Sequence, residues 1–455
     1  MTIPAVAAAG SAERFSFDPI GDMLGRIRSE FGGDDSGEVA DYIPQLSTAD
    51  PALFGLALAG VSGSVYGAGQ CTEQFSIQSI SKPFVYALAL ADVGPDEVLA
   101  RVGVEPSGEA FNAISLEPST GRPDNPLINA GAILTSSLVS GSRPEERIAR
   151  VIDQLSRCAG RDLVVDEQVF RSEYDTGDRN RALAHLMRAA GSLTMDVEEA
   201  VEVYFRQCAV LVSATDLAVM GATLANGGVN PRTGVVAMRQ DIAEQVLTVM
   251  ATCGMYDFSG EWLFRVGLPA KSGVSGGLVA VSPSQFGIGM YSPRLDERGN
   301  SVRGVEASRA ISERFSLHLM HQVTRSGPSF VRVAPDGSER PVGPPVGGDG
   351  HRGGDVRILS MQGYIEFATA EQALLTVQLQ VDDADVPSAV VVDLDHVTQC
   401  HPVAAILLNS VIDEVAGRGV RVVTADRSGR RLLAASAEFA TRAEALAHLT
   451  GGTHA

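Results

Sequence analysis

The chain has 455 residues, 45% of them hydrophobic and 20% charged, which is enough for two or three apolar cores. A formal net charge of −19 excludes a nucleic-acid binder, whose phosphate contacts need a basic surface, and serves solubility instead. The five cysteines, Cys71, Cys158, Cys208, Cys253 and Cys400, are an odd number without C-x-x-C spacing, so neither a disulfide framework nor a zinc site is expected. The start Met1-Thr2-Ile3-Pro4-Ala5-Val6 lacks a basic region and a long apolar run, and no later run is long enough to span a bilayer. A cytoplasmic protein with no membrane partner is expected.

Residues 1–15 read as a loose tail. Ile20, Met23, Leu24, Ile27 and Phe31 then recur at helical spacing until Gly32-Gly33-Asp34-Asp35-Ser36-Gly37 stops the helix. The stretches beginning at Phe54 and Ser64, separated by Gly-Val-Ser-Gly, read as a strand pair, and a helix starts at Ser79. From about 126 to 254 the pattern is mostly helical. Between 263 and 292 alternation returns, with Leu278 to Val281 and Phe286 to Tyr291 as paired strands, followed by a helix from Val305 to Val323. Strands at both ends with helices between predict an α+β unit over 16–325, one antiparallel sheet plus a helical part. Residues 326–355, rich in Gly, Pro, Ser and Arg, read as a linker. Beyond it, over 356–455, strands at Val356 to Met361, Ala389 to Leu394 and Val420 to Ala425 alternate with helices at Ala370 to Gln380, Pro402 to Ala416 and Ser428 to Ala435.

Ser79-Ile80-Ser81-Lys82 carries the chemistry. If these residues open a helix, Ser79 and Lys82 share a face, and the unpaired N–H groups of the first turn favour negative charge at the serine. S-x-x-K alone also fits a helix cap followed by a solvated lysine. Lys82 and Lys271 are, however, the chain's only lysines among 36 basic residues, and the other 34 are arginines, which do not release a proton. Lys271 stands in Lys271-Ser272-Gly273, ahead of a strand. Serine acyl-transfer enzymes of the penicillin-binding and β-lactamase kind carry S-x-x-K at a helix start and K-[ST]-G on a facing strand. Their third element, S-x-N or Y-x-N, does not occur here. Gly273-Val274-Ser275-Gly276-Gly277 formally fits G-x-S-x-G, but a strand follows it where a nucleophile elbow needs a helix. The eight histidines begin only at His185, so neither a Ser-His-Asp triad nor a metal spacing is expected.

Several further blocks occur in order: Asp41-Tyr42-Ile43-Pro44-Gln45, Gln78-Ser79-Ile80-Ser81-Lys82-Pro83, Asn125-Pro126-Leu127-Ile128-Asn129-Ala130-Gly131-Ala132, Gly177-Asp178-Arg179-Asn180, Cys253-Gly254-Met255-Tyr256-Asp257-Phe258-Ser259-Gly260 and Leu268-Pro269-Ala270-Lys271-Ser272-Gly273-Val274. Together they resemble the serine-dependent glutaminases, from about Phe17 to about Val323. The resemblance implies a β-lactamase-like fold, hydrolysis of L-glutamine through a Ser79 ester with neither metal nor cofactor, and a homodimer or homotetramer. It also implies roles. Lys82 and Tyr256 move the proton, and the amides of Ser79 and Val274 hold the oxyanion. Asn129, Glu173, Asn180 and Tyr204 line the substrate, Glu173 meeting the α-ammonium, and Tyr42 lies close to the reacting amide. Taken bare, Asn129 and Asn180 also fit helix caps or turns, Glu173 a solvated carboxylate, Tyr204 core packing, Tyr256 a half-buried loop residue and Val274 plain strand. A penicillin-recognising hydrolase or esterase, and a regulatory binding protein built on a decayed enzyme, are the alternative readings.

The β-α alternation of the last hundred residues, with Val390-Val391-Val392-Asp393-Leu394 leading into Val397-Thr398 and a helix, resembles a STAS domain of the anti-sigma-factor-antagonist and sulfate-transporter type. In antagonists of that type the helix opens on Asp-Ser, and the serine is phosphorylated. Here the pair is His401-Pro402, which rules out that modification and leaves the domain's partner unknown.

Overall fold

The computed structural model describes residues 18–41, 43–108, 114–320, 329–333, 339–341, 356–365, 387–427 and 432–450, together with Thr369, Ala370, Ala373, Val377 and Gly429. The tail expected over 1–15 and Tyr42 lie outside the described residues. The chain divides between His321 and Gln322 into two compact units.

The first unit is built on five antiparallel strands, β1 (Gly55–Gly60), β2 (Val65–Gly69), β3 (Ala270–Ser272), β4 (Gly277–Ser282) and β5 (Phe286–Tyr291), in the order β2-β1-β5-β4-β3. Alternation along the strands sorts their side chains by size. Leu56, Leu58, Leu278, Ile288 and Met290 face the helices Pro19–Phe31 and Val302–Phe315 and the indole of Trp262. The other face carries Ala57, Ala59, Val279 and Val281, and meets the helical block that runs from Asn129–Ser137 to Gln240–Cys253. Gly287 and Gly289 alternate with the large residues of β5. The helix Ala214–Ala225 lies so close to them that a Cβ at either position would strike its backbone at Ala214, Ala218 or Ala222. The small face thus seats a helix directly on the sheet. Lys271, opposite Val279 in the β3–β4 register, projects to this same face.

The last helix of this unit runs Val302–Phe315, ending short of the expected Val323, because Ser316 turns into the left-handed region (φ 54°). Residues 321–323 lie outside the described residues.

The second unit has six strands, β6 (Ser329–Val333), β7 (Glu339–Pro341), β8 (Val356–Ile365), β9 (Ala389–Cys400), β10 (Arg421–Ala425) and β11 (Ala437–Phe439), ordered β7-β6-β8-β9-β10-β11. Strands β8 to β11 are parallel, and β6 runs antiparallel to both β7 and β8. The uninterrupted apolar run Val390–Val392 is explained by burial on both faces. Val390 and Val392 pack with Leu408, Val411 and Ile412 of the helix Pro402–Gly417, and Val391 packs in a cluster with Ala445 and Leu449 of the helix Arg442–Thr450. Two expectations need correcting. The stretch 326–355 contains β6 and β7, whose backbone pairing outweighs its linker-like composition. Of Ser428 to Ala435, Gly429 and 432–435 are described and are not helical; they lead into β11, with Leu432 and Leu433 resting on the core. Of the helix expected over Ala370 to Gln380, the described positions Ala370, Ala373 and Val377 are helical.

The contact between β5 and Ala214–Ala225 can be tested at Gly287. Alanine there would gain about 0.4–1 kcal/mol from a less flexible unfolded chain, against about 1–3 kcal/mol of overpacking. Calorimetry of Gly287→Ala is therefore expected to show a lowered Tm, and an unchanged or raised Tm would contradict the close seating.

Candidate active site

Ser79 lies in a 3-10 turn, Gln78–Ser81, and the α-helix proper begins at Lys82, not at Ser79. Gln78 causes this. Its backbone is left-handed (φ 51°), a conformation that costs a non-glycine residue about 1–3 kcal/mol and persists only where the surroundings hold it. The surroundings do hold it. The Ser81 hydroxyl donates to the Gln78 carbonyl at 2.7 Å, and the Gln78 amide donates to Glu173 Oε1 at 2.5 Å and to Ser76 Oγ at 3.2 Å. Ser79 is buried.

Lys82 is fully buried. Its Nζ donates to Asn129 Oδ1 at 2.7 Å and to the Leu127 carbonyl at 3.4 Å, and stands 5.8 Å from the centre of the Tyr204 ring. Burial penalises the ammonium form and brings the Lys82 pKa down from 10.5 to about 8, while Cys208 and Glu173 work in the opposite direction. Asn129 is the hub of this side of the pocket. Its Oδ1 also accepts from the Tyr204 hydroxyl at 3.1 Å, and its Nδ2 donates to Asn180 Oδ1 at 3.0 Å. It opens the helix Asn129–Ser137 without capping it, so the helix-cap reading falls away. Glu173 is not a solvated carboxylate. It is 6% exposed, and burial raises its pKa to about 7, against the lowering effects of the Gln78 hydrogen bond and the Lys82 charge.

The opposite wall comes from β3 and the turn Tyr256–Phe258. Tyr256 is a second non-glycine residue with left-handed backbone (φ 58°). Its hydroxyl donates to the Ser272 carbonyl at 3.0 Å, and Ser79 beside it works against the rise of its pKa. Burial drives the Tyr256 pKa upward, so the phenol is neutral in the free protein. The fully buried Lys271 donates to the same Ser272 carbonyl at 2.8 Å, with Nζ 4.1 Å from the centre of the Tyr256 ring. Burial, and after it the charge of Lys82, holds Lys271 well below the usual lysine range. Val274 follows on the loop to β4, its side chain turned into a small cluster with Ala40, Ile43, Leu46 and Leu295.

Ser79, Lys82, Asn129, Glu173, Asn180, Tyr204, Tyr256, Lys271 and the Val274 loop thus form one connected neighbourhood; Tyr42 lies outside the described residues. The expected direct pairing of Ser79 with Lys82 is amended. Among the described residues the lysine bonds Asn129 and Leu127, and the serine's influence falls on Tyr256. Sequence reasoning missed three supports. Gln78 ties the serine turn to Glu173. Gln207 donates to Ser81 at 3.3 Å and accepts from Ser136 at 3.2 Å. Cys208 lies beside Ser81 and Tyr204, its thiol held neutral by burial. Gln78 stood inside a quoted block, but nothing in the sequence signals a left-handed backbone there.

A serine beside a phenol, with two buried amines on one face of an antiparallel sheet with a helical block, is the β-lactamase-like arrangement. The glutaminase family profile matches residues 37–320. A glutaminase of Microcystis aeruginosa is 50% identical over 303 residues, which cover 67% of this chain and 90% of that one. A glutaminase of Corynebacterium efficiens is 43% identical over 410 residues, covering 90% and 92%. The crystal structure of Mglu in its glutamate form superposes with a TM-score of 0.74 at 40% identity, covering 90% of this chain and 98% of that one. The chain belongs to the glutaminase family, and its enzymatic activity is that of a glutaminase.

The two shifted groups set a pH dependence. Below about 8 Lys82 binds a proton and stops being an acceptor, and below about 7 Glu173 binds one and loses its charge. The kcat/KM for glutamine is expected to fall as pH drops through 8 and more steeply below 7. A profile flat between pH 6 and 9 would contradict both assignments.

Proposed function

We propose that the chain hydrolyses L-glutamine to L-glutamate and ammonia through a glutamyl ester on Ser79, without metal or cofactor. The observation that carries this reading is Ser79 set beside Tyr256, in one buried neighbourhood with the amines of Lys82 and Lys271. Ser79 Oγ attacks the side-chain amide carbon of glutamine, and its proton passes to the coupled Tyr256–Lys82 pair. The pair returns that proton to the nitrogen, which leaves as ammonia. Water then attacks the ester carbonyl, giving glutamate and restoring the serine. Lys271 beside the Tyr256 ring favours any negative charge that builds on the phenol. The amides of Ser79 and Val274 receive the oxyanion, a contribution worth about 2.7–4 kcal/mol per donor.

Glu173 pairs with the α-ammonium of the substrate. Asn129, Asn180 and Tyr204 offer the α-carboxylate neutral donors, and Tyr42 closes on the reacting amide. Mglu in its glutamate form, a related chain with the expected product, supports an amino-acid pocket of this kind.

The second unit is assigned to the STAS type, with a regulatory or assembly role in a cytoplasmic homodimer or homotetramer. Its parallel strands with helices on both faces support this, as does the helix Pro402–Gly417 opening directly after His401. Catalysis belongs to the first unit. The glutaminase family match ends at residue 320, and the Microcystis relative matches 67% of this chain and 90% of its own length.

Ser79→Ala is expected to lower ammonia release from glutamine at least about a thousandfold, as loss of a nucleophile does. Mass spectrometry of a quenched native reaction is expected to find the glutamyl group on the Ser79 peptide. Equal turnover by the two proteins would remove the ester from the scheme. Residues 1–325 alone are expected to keep turning over glutamine, while light scattering reports any change of assembly; an inactive but folded fragment would tie catalysis to the second unit.

A further inference from the structure

Buried polar atoms with no protein partner are uncommon, and each needs an explanation. Four of them gather behind the loop that carries Val274. Asn300 is fully buried, and neither its Nδ2 nor its Oδ1 meets a partner. The hydroxyls of Ser292, fully buried, and Ser275, 6% exposed, are in the same position.

Backbone contacts bring these three residues together. The Ser292 N–H donates to the Gly276 carbonyl at 3.0 Å, and the Ser301 hydroxyl donates to the Ser292 carbonyl at 2.9 Å. Ser275 adjoins Gly276, and Asn300 adjoins Ser301. The backbone of Asn300 is fully engaged, its N–H donating to Asp296 Oδ1 at 2.9 Å and its carbonyl accepting from the Asp296 N–H at 2.8 Å. Its side chain is buried with two donors and an acceptor to spare. At Gly276 (φ 94°) the loop lies so close to the 292 strand end that a Cβ would collide with the Ser292 carbonyl.

Leaving a buried donor or acceptor dry costs more than immobilising a water molecule beside it. The atoms involved are uncharged and include both donors and acceptors, which suits water; an ion would need a compensating charge. We infer that Asn300, Ser292 and Ser275 enclose an internal hydration site whose ordered water ties the loop from Ser272 to Gly276 to the turn at Asn300, making Asn300 a positioning residue for the Val274 amide. The hydration site stands independently of the catalytic scheme. The positioning role rests on the reading of the Val274 amide as an oxyanion donor.

A high-resolution crystal structure of the full chain tests the first part. Density for a water within hydrogen-bond distance of the Asn300 amide and of Ser292 Oγ or Ser275 Oγ is expected. A dry pocket, or Asn300 bonded directly to the serines, overturns it. Steady-state kinetics of Ser275→Ala and Asn300→Ala test the second. A loosened oxyanion donor is expected to lower kcat about tenfold, less than its outright removal, with KM within about twofold. Should Asn300→Ala fail to fold, Ser275→Ala gives the same reading from the less buried edge. An unchanged kcat in a folded variant, or kcat and KM moving together, overturns the positioning role. A Ser79→Ala protein that stayed active would sink the ester scheme while leaving the crystallographic outcome untouched.

Discussion

Two ammonium groups withdrawn from water into one pocket set the terms for everything around them. Among the described residues neither Lys82 nor Lys271 reaches a carboxylate within ion-pair distance. Each is held by neutral acceptors, Asn129 and Leu127 for one and Ser272 for the other. Glu173, the carboxylate whose charge acts on Lys82, is itself buried with a raised pKa. Charge in the site is thus only partly compensated, and the titrating groups lie away from their ordinary ranges. A full salt bridge would have stabilised the lysine's charged form and removed it from acid–base work near neutral pH.

The fold holds this uncomfortable arrangement by rigidity. The small face of the sheet lets the helical block sit tightly against it, and the register of β3 against β4 sends Lys271 into the pocket. Helices from distant parts of the chain bring Asn129, Glu173 and Tyr204 to meet the serine turn. Left-handed backbone at Gln78 and Tyr256 costs about 1–3 kcal/mol at each residue, and both lie beside Ser79. Such strain survives because Gln78 is bonded at both ends, through its carbonyl to Ser81 and through its amide to Glu173. The same bond links the serine's orientation to the carboxylate assigned to the substrate ammonium.

Much of this was legible in the sequence, for a compositional reason. A chain that writes 34 of its 36 cations as arginine sets its two lysines apart, and both are fully buried in the site. The alternation of β1, β4 and β5 was equally plain. What stayed hidden was long-range or conformational. Gln78 and Glu173 are 95 positions apart, and Tyr204 and Asn129 are 75 apart, so no local pattern joins them. The direct Ser79–Lys82 contact suggested by their spacing does not appear, because the Lys82 amine is taken up by Asn129 and Leu127. Strands β6 and β7 escaped notice because glycine and proline around them read as linker. Leu432 and Leu433 looked helical because packing against a core does not require a helix.

The scarcity of lysine also makes the central idea measurable. Protein labelled with isotope only in lysine gives two side-chain NMR signals, and Lys82→Met assigns them. Burial without a carboxylate partner predicts that the Lys82 signal titrates near 8 and the Lys271 signal well below 10.5. Two signals titrating together near 10.5 would show ordinary, permanently charged lysines at neutral pH and contradict the proton transfer described for this site.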